Sequence, residues 1–138
     1  MAECGLAGKM KLKAATRAVV VNAPAGYLET LGPLPAGVEL SGRLQGSFGW
    51  IHAFVRTSAE LNGLAAGLVK ALAADGLLWV SFPKGTSGIQ ADLTRDKGWD
   101  ALADADLRRI TLIAVDGEWS AFGLRRYRPG EARQPAWR

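Results

Sequence analysis

The sequence contains very few of the residues that most often carry catalysis or bind metals. Its 138 residues include one cysteine, Cys4, and one histidine, His52. A single cysteine cannot form an intrachain disulfide, and no His/Cys/Asp cluster has the spacing of a zinc site. No serine lies in a nucleophile-elbow motif, and no Walker-type phosphate loop is present. The sequence therefore predicts no metal site and no catalytic residue of a familiar type.

A long hydrophobic run is also missing. No apolar stretch approaches the roughly 20 residues that cross a bilayer. Lys9, Lys11 and Lys13 interrupt the first 17 residues, where a signal peptide would need an apolar segment. Hydrophobic residues make up 49% of the chain and charged residues 22%, which is typical of an ordinary globular domain. We therefore expect one domain with no membrane contact and a cytoplasmic location.

Positive charge is concentrated at the two ends of the chain. The formal net charge is +4, but residues 1–17 and 125–138 are each more basic than acidic, so the remaining body is mildly acidic. A nucleic-acid surface should run along an element of the fold, and we therefore expect the ends to be solvated tails. Weak nucleic-acid association through the Arg-rich C-terminal tail, with Trp137 available to stack on a base, is the less favoured alternative.

The hydrophobic pattern predicts alternating strands and helices. Six strands are expected, at residues 17–22, 38–44, 50–55, 77–82, 109–115 and 119–125. Asp116-Gly117 joins the last two as a hairpin. This order favours a single α/β domain over residues 1–126, with an N-terminal lead at 1–16 and a basic tail at 127–138. Its sheet should be mostly parallel, with helices on both faces in three layers and a C-terminal antiparallel hairpin.

Short sequence patterns predict two helices and raise a question about one connection. Only residues 45–49 separate the second and third strands, too few for a normal parallel crossover, so either the second strand is short or the two strands pair differently. Thr57 and Glu60 have the spacing of a capping box. An apolar stripe then predicts a long helix that ends at Asp75-Gly76. A shorter helix is expected at 96–104, with Trp99 and Leu102 facing inward.

The polar loop after the strand at 77–82 is the candidate ligand site. It follows the carboxyl end of a strand expected to be central, where open α/β sheets bind ligands. The candidate ligand-binding residues are Lys84, Thr86, Ser87, Asp92, Arg95, Asp96 and Lys97. The cations could neutralise an anion, the hydroxyl groups could donate, and an aspartate could accept from a ligand hydroxyl. The alternative is structural: the aspartates cap a helix, and Arg95 pairs with a neighbouring carboxylate.

Other notable residues favour structural roles. The turn at 22–27 occupies the place of a nucleotide-binding loop, but it has a single glycine, Gly26, and Pro24 removes a backbone donor. We interpret Gly26 as a turn residue. His52 lies in mid-strand and is expected to be a hydrogen-bonded structural side chain. Four tryptophans are expected to pack in the core or on the sheet: Trp50, Trp79, Trp99 and Trp119.

Four separated blocks resemble the uncharacterised bacterial family named domain of unknown function 3052. The blocks are Asn22–Tyr27, Leu77–Lys84, Asp92–Trp99 and Glu118–Ala121. They occur in order across most of residues 5–126, and the resemblance implies no activity. A looser similarity is to the Rossmann-like class I methyltransferases, in which Asp75–Val80 looks like the strand after the fourth helix. Their glycine-rich S-adenosylmethionine turn and ribose-binding acid are missing from the corresponding places here.

We therefore expect a small, non-catalytic, methyltransferase-like domain that uses no cofactor. It would bind a protein partner or a small anionic ligand at residues 84–97. The alternative is an enzyme, either a divergent S-adenosylmethionine-dependent methyltransferase or another small enzyme, with Asp92, Asp96 and Lys84 as acid–base groups. The missing cofactor motif favours the non-catalytic interpretation.

Overall fold

Six strands form one sheet in the computed structural model, which describes residues 6–32, 34–85, 92–94 and 97–132. They are β1 (Arg17–Val21), β2 (Glu39–Ser41), β3 (Phe48–Phe54), β4 (Leu72–Pro83), β5 (Leu107–Ala114) and β6 (Trp119–Arg126). The order across the sheet is β2-β1-β3-β4-β6-β5. Neighbours among the first four strands pair in parallel, whereas β6 pairs antiparallel with both β4 and β5. The predicted mostly parallel sheet with a C-terminal antiparallel hairpin is confirmed.

The second strand is shorter than its hydrophobic pattern predicts. β2 has three residues rather than the seven of 38–44, and it ends where the Arg43 N–H donates to the Ser41 hydroxyl at 3.1 Å. β1 lies between β2 and β3 and pairs with both. The short connection at 42–47 therefore links two strands that are not neighbours.

Within the described part of the chain, four helices cover the sheet: α1 (Leu6–Lys9), α2 (Tyr27–Leu31), α3 (Ser58–Ala71) and α4 (Asp100–Asp104). α3 begins as predicted, because the Thr57 hydroxyl accepts from the Glu60 N–H at 3.1 Å. The second half of the capping box differs, since the Glu60 carboxylate accepts from the Arg56 N–H at 2.6 Å. The predicted helix at 96–104 is confirmed for its last turn. Its Trp99 and Leu102 are fully buried, while Arg95 and Asp96 lie outside the described residues.

The prediction that α3 runs to Asp75-Gly76 is wrong. The helix ends at Ala71, and Leu72 already has extended dihedrals and pairs with Phe48 of β3. A Cβ on Gly76 would lie 2.8 Å from Leu72 Cδ1 and 3.0 Å from the Phe48 carbonyl oxygen. Gly76 therefore permits the close approach of β4 to β3 and does not cap the helix.

Two hydrophobic cores lie on opposite faces of the sheet. α3 and α4 pack against one face around Leu61, Leu68 and Phe82. The N-terminal segment and α2 cover the other face, around Met10 and Leu31. The four tryptophans predicted to pack are each at most 3% exposed: Trp50, Trp79, Trp99 and Trp119. Helices on both faces give the three layers that the sequence predicts.

Candidate functional site

The strand order changes direction at β1. β2 follows β1 along the chain and lies on one side of it, whereas β3 lies on the other side. Ligands in open α/β sheets bind outside the carboxyl ends of the strands at such a switch point. The site is therefore expected where β1, β3 and β4 end. We call this surface the carboxyl rim and define it by residues 22–26, 55–58, 84–85 and 92.

Only part of the predicted ligand loop is described. Lys84, Asp92 and Lys97 are described, whereas Thr86, Ser87, Arg95 and Asp96 lie outside the described residues. Lys84 is half-buried directly after β4, and its backbone N–H donates to the Glu118 carbonyl at 2.8 Å. Lys97 is exposed, and its backbone forms a small bridge with Thr94. Lys84 thus lies at the rim, while the bridge holds Lys97 beside Thr94.

Asp92 connects this loop to the start of α3. Its carboxylate accepts from the Ser58 backbone N–H at 2.9 Å and from the Ser58 hydroxyl at 2.5 Å. These hydrogen bonds hold the pKa of Asp92 below its usual range. The prediction that Asp92 caps a helix is confirmed, but the capped helix is α3, which precedes Asp92 in the chain, because the carboxylate accepts from the Ser58 N–H. Such a carboxylate stays ionised and is a poor general acid.

Arg56 is a candidate ligand-binding residue that the sequence analysis does not include. It follows the carboxyl end of β3, its side chain is exposed, and its guanidinium lies 5.4 Å from the centre of the Trp119 ring. β3 pairs with β4, and neighbouring strands are only about 4.8 Å apart. Arg56 and Lys84 therefore extend from adjacent strand ends. A basic residue between a strand and the start of a capping box is the signal that could have identified it.

The turn after β1 is shaped by two residues in the left-handed region. Asn22 has a φ of 59° and Gly26 has a φ of 81°, a conformation that glycine adopts without strain and asparagine tolerates. Gly26 precedes α2, a helix of five residues. The interpretation of Gly26 as a turn residue is confirmed.

A buried hydrogen-bonded chain lies behind the rim. The Tyr27 hydroxyl is 2.5 Å from His52 Nδ1, and His52 Nε2 is 2.6 Å from the Ser81 hydroxyl. Burial lowers the pKa of His52 to about 3 and raises the pKa of Tyr27. His52 is thus a neutral imidazole with both nitrogens hydrogen-bonded, which confirms its predicted structural role.

The C-terminal segment is predicted to be a solvated tail, and within its described part Arg128, Pro129, Gly130 and Ala132 are exposed, whereas Glu131 is held against the fold. Glu131 forms ion pairs with Arg108 and Arg125, and the hydrogen bonds from Arg125 hold the pKa of Glu131 far below its usual range. The Arg126 guanidinium donates to the carbonyls of Val69 and Leu72. These basic side chains therefore serve the fold. Arg133, Trp137 and Arg138, on which the nucleic-acid alternative also depends, lie outside the described residues.

Two structural features are absent from the described residues. Within them, no group of three or more His, Cys, Asp or Glu side chains could hold a metal ion. Nor does a helix in that part of the chain combine the length and apolarity needed to cross a membrane.

Comparison with solved structures identifies the fold. The chain superposes on a ribosomal protein L11 methylase from Lactobacillus delbrueckii subsp. bulgaricus with a TM-score of 0.57 and 17% identity, covering 88% of this chain and 76% of that one. A TehB-like SAM-dependent methyltransferase from Corynebacterium glutamicum gives 0.55 and 13% over 88% and 85%. An S-adenosylmethionine-dependent methyltransferase from Clostridium acetobutylicum gives 0.58 and 7% over 86% and 85%. The chain therefore has a Rossmann-like methyltransferase fold.

No protein-family model matches the chain, and no curated protein matches it. The resemblance to domain of unknown function 3052 therefore stays a prediction. At identities of 7–17%, the structural likeness carries the fold alone.

Proposed function

We propose that this chain is a non-catalytic, methyltransferase-like domain that binds a small anionic ligand at the carboxyl rim. The observation that carries the proposal is the placement of Arg56 and Lys84 after the adjacent carboxyl ends of β3 and β4. Two cations at this edge of an open α/β sheet suit a phosphate or carboxylate group. Residues 18–124 are mildly acidic as a whole, so two neighbouring basic residues at this edge are a local exception in charge.

The chemistry of the neighbouring groups supports binding over catalysis. The rim carboxylate, Asp92, is held ionised by Ser58, so it does not suit the role of a general acid near neutral pH. The single histidine is fully buried with a pKa of about 3, so it cannot take a proton from a substrate at the rim. The groups that remain at the rim can attract and orient an anion.

The test is titration calorimetry of the purified chain with three anionic probes: inorganic phosphate, citrate and ATP. Binding of at least one probe is expected. Arg56→Ala and Lys84→Ala should each raise its dissociation constant by about tenfold, the effect of losing one charge-assisted contact. Lys13→Ala is the matched control, because Lys13 is exposed before the amino end of β1. Equal weakening by Lys13→Ala, or no binding of any probe, would contradict the proposal.

A divergent S-adenosylmethionine-dependent methyltransferase is the second candidate. The fold likeness to S-adenosylmethionine-dependent methyltransferases supports it. Thermal unfolding with S-adenosylmethionine and with S-adenosylhomocysteine separates the two candidates, because a ligand that binds only the folded state raises the midpoint. A rise with either compound that Arg56→Ala abolishes would favour the methyltransferase. An unchanged midpoint together with binding of phosphate, citrate or ATP would favour the non-catalytic domain.

A further inference from the structure

The start of β6 and the residue before it contact both basic residues of the carboxyl rim. Lys84 is held through its backbone, because its N–H donates to the Glu118 carbonyl at 2.8 Å. Arg56 is held through its side chain, because its guanidinium lies over the Trp119 ring at 5.4 Å from the ring centre. That distance is within the roughly 6 Å over which a cation is attracted to an aromatic face. Two consecutive residues therefore meet both halves of the basic pair.

The Trp119 ring is itself held in place by the ends of two strands. It is 3% exposed, and it packs edge-on against Phe54, the last residue of β3, with 5.1 Å between the ring centres. The backbone of Trp119 pairs with Pro83, the last residue of β4. A buried aromatic ring with these contacts has little freedom to move. It therefore gives the exposed Arg56 side chain a rigid support.

Asp116 fixes the backbone that carries this ring. Its Oδ1 accepts from the Glu118 N–H at 2.8 Å and from the Trp119 N–H at 3.0 Å. The Trp119 carbonyl in turn accepts from the Val115 N–H at 2.9 Å and from the Asp116 N–H at 3.3 Å. An aspartate that accepts from backbone N–H groups two and three residues further on closes a local turn. The hairpin turn therefore determines where the Trp119 ring lies.

We propose that Trp119 and Asp116 are positioning residues for the anion that binds at the carboxyl rim. The inference rests on the proposed function and adds to it the residues that hold Arg56 ready. An exposed arginine samples many rotamers, and the freedom that it loses on binding weakens the complex. The Trp119 ring reduces that loss, because it holds the guanidinium at the rim before the ligand arrives. The fork of N–H donors then suits the paired oxygens of a phosphate or carboxylate group.

Titration calorimetry with inorganic phosphate, citrate and ATP tests the ring. Trp119→Leu should raise the dissociation constant of a probe that the wild type binds by about two- to fivefold, the size of a cation–π contact. Trp119→Phe also loses volume but keeps an aromatic face, so it should bind more tightly than Trp119→Leu. In an Arg56→Ala background, Trp119→Leu should have no further effect, because the ring acts through the guanidinium. Phe48→Leu is the matched control, since the Phe48 ring lies under Arg17 at 4.6 Å at the opposite end of β3. It should leave binding unchanged.

Substitutions of Asp116 separate positioning from charge. Removal of a carboxylate near an anion site strengthens anion binding if charge alone matters. Asp116→Ala should instead raise the dissociation constant by about two- to fivefold, because the turn loses its acceptor and Arg56 its fixed support. Asp116→Asn removes the same charge but keeps an acceptor oxygen, so it should bind more tightly than Asp116→Ala. Asp116 is exposed, and both variants retain the buried ring, so they test the proposal even where Trp119→Leu fails to fold.

A measurement without ligand distinguishes failure of this inference from failure of the proposed function. The ring current of Trp119 should shift the side-chain proton signals of Arg56 in the NMR spectrum of the free protein, and Trp119→Leu should abolish that shift while circular dichroism shows a retained fold. Arg56 signals that do not move overturn the positioning role. So does a Trp119→Leu effect on binding that persists in the Arg56→Ala background, or an Asp116→Ala variant that binds as tightly as the wild type. Wild-type protein that binds none of the three probes overturns the proposed function instead, and the NMR signals then decide whether Trp119 holds Arg56.

Discussion

His52 shows at the residue scale how burial sets the behaviour of a titratable group. It is fully buried between two hydroxyl groups, those of Tyr27 and Ser81. Burial lowers the pKa of its imidazole to about 3, because the charged form would lose its hydration. In the unfolded chain the same group titrates near 6.5. Between these two values the unfolded state binds a proton that the folded state does not bind.

The first prediction follows from that difference in proton binding. The stability that His52 contributes is complete above about pH 6.5 and is lost as the pH falls, by about 2–3 kcal/mol between pH 6.5 and pH 4.5. Urea unfolding at several pH values measures it. His52→Gln keeps hydrogen-bonding capacity but does not titrate, so its free energy of unfolding should fall less over that range. Parallel curves for the two proteins would show that His52 is not the source.

Residue-scale reasoning from the sequence identified the burial of this histidine but not the role of Arg56. A histidine between apolar residues of a strand is locally recognisable. The significance of Arg56 depends on which strand lies next to β3, and this is decided by the order of the whole sheet. The sequence placed β4 in the middle of that sheet because its apolar run is nearly unbroken. It therefore located one half of the basic pair, Lys84.

At the element scale, the start of α3 is determined by residues close in sequence, whereas its end is determined by tertiary contacts. Its start could be predicted, because Thr57 and the Glu60 N–H that it caps are three residues apart. Its end could not, because Arg126, which donates to the carbonyls of Val69 and Leu72, is 54 residues from Leu72 in sequence. The turn residues Asp75-Gly76 predict the wrong end for α3, since Gly76 lies within β4 and permits its close approach to β3.

The second prediction concerns this tertiary cap. Arg126→Met removes the guanidinium that donates to Val69 at 2.6 Å and to Leu72 at 2.9 Å, and it retains much of the apolar side chain. Because two carbonyls lose a charged donor, the free energy of unfolding should fall by about 1–3 kcal/mol. Hydrogen exchange should also become faster in the last turn of α3.

Arg128→Met is the matched control for the cap. Arg128 is exposed two residues further along the chain, and surface substitutions of this kind usually change stability by less than about 0.5 kcal/mol. An equal loss of stability in the two variants would mean that charge alone, and not the cap, is responsible.

For the molecule as a whole, the layers that cover the two faces of the sheet differ greatly in helix length. α3 has 14 residues and covers one face. The other face depends on two helices of four and five residues and on residues 10–12, which follow the first of them. Met10 anchors this thinner layer, because its carbonyl oxygen accepts from the indole N–H groups of both Trp50 and Trp79 at 2.9 Å. Residues 6–12, which the sequence treats as part of a lead, therefore complete a core.

The third prediction is that the stability of the whole domain depends on this N-terminal layer. Met10 and Leu12 are at most 4% exposed, so Leu12→Ala should lower the free energy of unfolding by about 2–4 kcal/mol through lost burial and the cavity left behind. The double variant Met10→Ala/Leu12→Ala should lose more, and its tryptophan fluorescence should shift to longer wavelength as water reaches Trp50 and Trp79. Lys13→Ala, at an exposed neighbour, should leave the unfolding midpoint and the spectrum unchanged. If the double variant unfolds like the Lys13 control, the two indoles do not need the side chains of Met10 and Leu12 to stay buried, and the prediction is wrong.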